Sequence, residues 1–151
     1  MKKIALCSSV MDRTTIFANK LMRASGLWFI SFKDVIEEWL ANGGKVLRKS
    51  PRPLGFILPA LEYLKKEYGD MGVVLFGADT LVHEQAEREI KKEYELVFLH
   101  GDGKDLGKEV VEQVLHKEYN THLGKIADVV VDCSDMKKAV AQIKKLMESV
   151  T

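Results

Sequence analysis

The chain has 151 residues, of which 46% are apolar and 30% charged, and its formal net charge is +1. That length supports one domain with a proper core, and the composition is that of an ordinary globular protein. The near-zero charge supplies no drive toward nucleic acid or a membrane surface, no apolar run approaches the roughly 20 residues of a membrane span, and two cysteines do not make a disulfide framework. A single domain over 1–151 in a reducing, cytoplasmic setting is the expectation.

In chain order, the pattern alternates strand and helix. Residues 3–6 read as a strand, and 14–24 as a helix with Phe17, Leu21 and Ala24 on one side, closed by Ser25-Gly26. A second strand over 27–31 precedes a helix over 33–40 that stops at Asn42-Gly43-Gly44. The basic stretch 45–53 holds two prolines and reads as a loop. Residues 54–68 place Leu54, Ile57, Leu58, Leu61 and Leu64 on one helical face, with Pro59 calling for a kink or a late start. A strand over 72–76, a helix over 80–92, a strand over 95–99 and a helix over 104–117 follow. The last strand is 127–131 and the last helix 135–150. Trp28 and Trp39 read as packing residues, and His83, His116 and His122 as solvated ones.

Strands that are apolar throughout, alternating with helices, imply a parallel sheet covered on both faces. Ligands of such sheets bind at the carboxyl ends of the strands. That rule collects residues 7–14, 31–34, 77–79, 100–103 and 132–133 on one edge.

The first of these turns carries the chemistry. Ile4-Ala5-Leu6-Cys7 runs as a strand into Ser8-Ser9-Val10-Met11-Asp12, and a helix opens near Arg13-Thr14-Thr15. A strand-to-helix turn aims loop N–H groups and a helix N-terminus at one point, which suits a phosphate. Two patterns share the spacing. The P-loop, G-x-x-x-x-G-K-S/T, finds Cys7, Asp12 and Arg13 in place of Gly, Gly and Lys, with Thr14 intact. The C-x5-R-S/T loop of cysteine phosphatases is matched literally by Cys7, Arg13 and Thr14. In that second reading Arg13 and the helix N-terminus lower the Cys7 thiol, the thiolate attacks phosphorus, and loop amides hold the oxygens. Against it, the loop has no glycine or asparagine for a positive φ, and Asp12 repels an anion. Asp79, Asp102 and Asp132 at strand ends are candidates for acids or magnesium ligands or, more ordinarily, for turn and cap residues; His100 is a candidate for proton transfer.

The segment Gly26-Leu27-Trp28-Phe29-Ile30-Ser31-Phe32-Lys33-Asp34-Val35-Ile36-Glu37-Glu38 resembles the stretch of shikimate kinases that follows their first helix. Residues 61–90 resemble the family's later helix, strand and glycine-rich turn, and Ala127-Asp128-Val129-Val130-Val131-Asp132 its closing A-D-x-V-V-D strand. The resemblance implies an α/β P-loop NTPase fold: a five-stranded parallel sheet flanked by helices, strand order 2-3-1-4-5. It implies ATP and Mg²⁺ as cofactors, with Thr14 as the magnesium ligand, and a nucleotide or small phosphorylated ligand held by Ser8, Ser9, Val10, Met11, Asp12, Arg13, Thr14 and Thr15. Lys33, Asp34 and Asp79 fall on the substrate side. The departures lie where activity sits: Ser31 and Lys33 replace the family's two aspartates, and Tyr119 aligns with a substrate arginine. The expectation is a diverged shikimate-kinase-like protein that keeps an anion loop but does not act as a shikimate kinase. The alternatives are a cysteine phosphatase using Cys7 and Arg13, and a non-catalytic interaction protein on the same scaffold.

Overall fold

The computed structural model describes residues 3–50, 52–101 and 110–148. Strand β1 (Ile4–Cys7) is followed by helix α1 (Met11–Ser25), strand β2 (Phe29–Ser31) and helix α2 (Phe32–Ala41). Helix α3 (Arg52–Glu67) leads to β3 (Val73–Leu75), the short α4 (Ala78–Leu81) and α5 (Glu84–Lys91). Then come β4 (Glu95–His100), α6 (Val110–Ile126), β5 (Val129–Asp132) and α7 (Met136–Glu148).

The sheet runs β2-β3-β1-β4-β5 with every pair parallel. Side chains alternate across a strand, and β1 feeds both faces. Ile4 and Leu6 join a cluster with Phe17 and Leu21 of α1 and Ile143 and Met147 of α7. Ala5 and Cys7 join a second cluster with Val35 and Trp39 of α2, Leu61 and Leu64 of α3, Ile90 of α5 and Leu123 of α6. Burying each of the larger side chains contributes about 1.5–3 kcal/mol. That is why α5, only 8 residues long, persists through Ala86 and Ile90 although so short a helix is unstable alone. Helix α1 ends on Gly26, whose φ of 74° lets its N–H reach the Met22 carbonyl at 2.7 Å.

Several boundaries differ from the sequence expectation. Helix α1 opens at Met11, ahead of Thr14. The helix expected over 80–92 is broken at Val82-His83 into α4 and α5. Helix α6 runs on to Ile126, so Tyr119 stands on a helix; the start expected at 104–109 lies outside the described residues. Pro59 sits inside α3 without ending it. Its missing N–H frees the Gly55 carbonyl, which accepts the Leu47 N–H at 3.1 Å instead. Trp39 is buried as expected, but Trp28 is 73% exposed beside the open edge of β2. His122 is part-buried, with Nε2 3.0 Å from the Leu81 carbonyl, and so ties α6 to α4. No helix among the described residues is long and apolar enough to cross a membrane.

Candidate functional site

At the carboxyl edge of the sheet a cavity of about 480 Å³ opens between three connections and α6. Ser8 and Ser9 come from the β1–α1 turn, and Phe32, Lys33 and Ile36 from the first turns of α2. Gly77, Ala78, Asp79 and Thr80 come from the β3–α4 turn, and Tyr119 from α6. The lining is largely apolar, with the Ser and Thr hydroxyls, Asp79 and Lys33 as its polar groups. Lys33 is exposed and forms no ion pair among the described residues, so it gives the cavity a cationic rim. Of the three residues expected on the substrate side, Lys33 and Asp79 line the cavity; Asp34, exposed in the first turn of α2, does not. Ile36 and Thr80 escaped sequence reading as site residues, whereas Phe32 fell within the 31–34 edge stretch and Tyr119 was aligned with a substrate arginine. Ile36, four residues after Phe32, shares its helical face, a spacing legible in the chain. Tyr119 reaches the site only because α6 packs across the sheet edge.

The β1–α1 turn is closed on itself. The Ser8 hydroxyl donates to the Val10 carbonyl and accepts the Val10 N–H at 3.1 Å. Thr14 Oγ1 lies 2.8 Å from the Ser8 hydroxyl and 3.4 Å from the same Val10 carbonyl, so the two hydroxyls share one acceptor and either can donate to the other. Ser8 is 2% exposed and Thr14 0%. Val10, the residue that caps α1, is extended and makes no side-chain cap bond. No non-glycine residue among the described ones has a positive φ, so the turn lacks the left-handed step a wrapping phosphate loop needs. Thr15 is exposed on α1. Met11 and Asp12 form the first turn of that helix, and their side chains lie outside the described set.

Arg13 does not line the cavity. It is 6% exposed, and its guanidinium lies against the backbone of Gly101, where a Cβ would stand 2.5 Å from Cζ and 2.7 Å from Nε and Nη2. Cys7 also faces away. Its side chain is in the cluster under α2 and α3, and Sγ donates to the Val97 carbonyl at 3.4 Å. Burial pushes the thiol well up from its ordinary range, the reverse of the lowering that a nucleophile needs. The C-x5-R spacing is therefore met in sequence while its two ends point into different surroundings. Neither Cys7 nor Cys133 is in a disulfide, and β4 lies between β1, which carries Cys7, and β5, which Cys133 follows.

Of the remaining strand-end candidates, Asp132 and His100 stand apart from the cavity. Asp132 accepts the Ser134 N–H at 2.9 Å and so forms an Asx-type turn. His100, exposed, meets Phe98 edge-on at 5.8 Å, and Asp102 lies outside the described residues. Among the described residues no group of three His, Cys, Asp or Glu side chains is placed to hold a metal ion.

No protein-family model matches the chain, and no curated protein matches it. Solved structures do. Shikimate kinase from Aquifex aeolicus is 19% identical, with 97% of this chain and 96% of that one covered at a TM-score of 0.66. Shikimate kinase from Acinetobacter baumannii, solved with shikimate, is 13% identical over 97% and 93% at 0.65. The tunicamycin resistance protein of Deinococcus radiodurans is 14% identical over 99% and 96% at 0.66. At such identities the likeness speaks of architecture, and it agrees with the strand order seen here: the chain has a shikimate-kinase-like α/β fold.

Proposed function

We propose that the chain is a diverged shikimate-kinase-like protein that binds a small phosphorylated ligand at the carboxyl edge of its sheet and does not phosphorylate shikimate. The observation that carries this reading is the cavity walled jointly by the β1–α1 turn, the start of α2 and the β3–α4 turn. The exposed Lys33 ammonium and the hydroxyls of Ser9 and Thr80 suit a phosphate at the rim. Phe32, Ile36, Ala78 and Tyr119 suit an apolar body behind it.

A magnesium nucleotide held in the family's manner does not fit these residues. Thr14, the expected metal ligand, is sealed and hydrogen-bonded within the turn to Ser8; Arg13, in the lysine position, lies on Gly101. Ligand binding in this reading is therefore independent of magnesium. The phosphatase alternative loses support for a separate reason, since the Cys7 thiol is buried, raised and turned into the core.

Calorimetric titration with inorganic pyrophosphate, ATP and ATP with magnesium tests the proposal. Saturable binding of a phosphorylated probe at or below about 1 mM, roughly 4 kcal/mol, unchanged by a chelator, is the expected result. Binding that requires magnesium, or phosphorylation of shikimate by ATP, would overturn it, and so would the absence of binding by all three probes.

A further inference from the structure

The cavity at the sheet edge is lined by two opposite charges and no others, Lys33 in the first turn of α2 and Asp79 in the first turn of α4. Both residues are exposed. Among the described residues their side chains form no ion pair and no hydrogen bond, with each other or with any neighbour. They stand on adjoining connections. Strands β2 and β3 pair with Ser31 opposite Leu75, so the chain leaves the two strands side by side, into Lys33 on one and Asp79 on the other. Neighbouring strands are about 4.8 Å apart, and one small molecule can meet both residues.

An aspartate in a turn ordinarily accepts a backbone N–H and so closes the turn. Asp128, Asp132 and Asp135 do this, taking the N–H groups of Leu96 at 2.9 Å, Ser134 at 2.9 Å and Lys138 at 3.3 Å. Asp79 does not. The cap residue of α4 is Gly77, without a side-chain cap bond, and a helix of 4 residues has little dipole for a carboxylate to answer. Structural duty therefore leaves the Asp79 carboxylate unused, on the wall of the cavity.

A phosphomonoester carries about −1.5 to −2 charge. It suits Lys33 and the hydroxyls of Ser9 and Thr80, but Asp79 opposes it. A hydroxyl on the ligand would give the carboxylate a donor and leave its charge uncompensated beside the phosphate. An ammonium supplies both the donor and the charge. Resting on the reading of this cavity as a phosphate site, we infer that its ligand is an aminophosphate. The phosphate sits on Lys33, the ammonium on Asp79, and a short apolar link lies against Phe32, Ile36 and Tyr119. Asp79 is then the residue that sets specificity.

Calorimetry on the full chain, with a chelator present, compares ω-aminoalkyl, ω-hydroxyalkyl and n-alkyl phosphates of matched length, from ethyl to hexyl, with pyrophosphate as the reference. At the best-fitting length the amine should bind about five- to tenfold tighter than either counterpart. Asp79→Asn, isosteric and at an exposed position, should erase that preference from both sides, weakening the aminoalkyl phosphate and tightening the alkyl one. Circular dichroism with thermal unfolding checks that the variant is folded. Where pyrophosphate binds but the amine adds nothing over the alkyl chain, or no more than a hydroxyl, the inference falls and the phosphate reading stands. A preference that survives in Asp79→Asn, or a variant that weakens the amine and alkyl series alike, overturns it as well. So does magnesium that, with the chelator left out, tightens alkyl phosphate binding in the wild type and not in Asp79→Asn, since the carboxylate would then serve a metal. If neither pyrophosphate nor any of the series binds, the phosphate reading falls and takes the inference with it.

Discussion

The hydroxyls of Ser8 and Thr14 lie 2.8 Å apart across the β1–α1 turn, both nearly or wholly removed from solvent. The contact is an internal one, in which the residue that would face a bound metal is instead tied to the turn that leads into its own helix. Ser8→Ala removes the acceptor of the Val10 N–H and leaves the Thr14 hydroxyl only its longer, 3.4 Å bond to the Val10 carbonyl. It should destabilise the fold by about 1–3 kcal/mol. In a chain of this size each kcal/mol lowers Tm by roughly 2–4 °C. Thermal unfolding reads this directly, and an unchanged Tm would show that the network contributes nothing.

Gly101 is required by its neighbour. With the Arg13 guanidinium 2.5–2.7 Å from where a Cβ would stand, Gly101→Ala must displace a charged group that is 6% exposed. The expected cost is about 1–3 kcal/mol, as for other overpacking substitutions. Arg13→Ala in the Gly101→Ala background should cost less than the sum of the two single changes, because the clash disappears with the side chain. Strict additivity in this double-mutant cycle would mean that the two residues do not press on each other.

Burial of Cys7 sets an alkaline limit on stability. Its folded-state pKa is raised above the ordinary thiol value near 8.5. The unfolded chain therefore releases this proton first, and stability, unaffected below about pH 8, should fall above that by about 1.4 kcal/mol per pH unit. Tyr94, pushed up to about 12 chiefly by burial, acts in the same direction from about pH 10. Urea unfolding between about pH 7 and 10 should show the decline, and Cys7→Ala should flatten its first part. The same substitution should leave hydrolysis of an aryl phosphate at background, where a catalytic thiol would be missed. Thiol reagents should label Cys7 only as the chain unfolds.

Lys33 is the cation on the rim of the ligand cavity. Lys33→Glu should weaken pyrophosphate binding about five- to tenfold, roughly 1–1.4 kcal/mol, without changing Tm, because the side chain is exposed. Asp34→Ala, one residue along α2 but off the cavity, should have no comparable effect. Equal effects at the two positions would mean that binding follows general charge and not the site.

Much of the architecture was legible in the chain. The apolar runs Val73-Val74-Leu75 and Leu96-Val97-Phe98-Leu99 demand cover on both faces, and the helices between them supply it; this local arithmetic, with the shikimate-kinase likeness, leads to the order β2-β3-β1-β4-β5. The turns at strand ends were found for the same reason, and with them Ser8, Ser9, Lys33 and Asp79. Spacing along a chain states which residues come to the same edge. It does not state which way their side chains turn. Cys7 and Arg13 keep the interval of a phosphate loop, yet strand alternation puts Cys7 with Ala5 in the core, and the early start of α1 accompanies an Arg13 laid on Gly101. Gly101 follows β4, far from Arg13 in sequence, and Tyr119 comes from α6, farther still from the first turn. Those directions follow from packing between distant elements, whose energies no local window contains, and so only the tertiary structure decided what the edge of this sheet presents to a ligand.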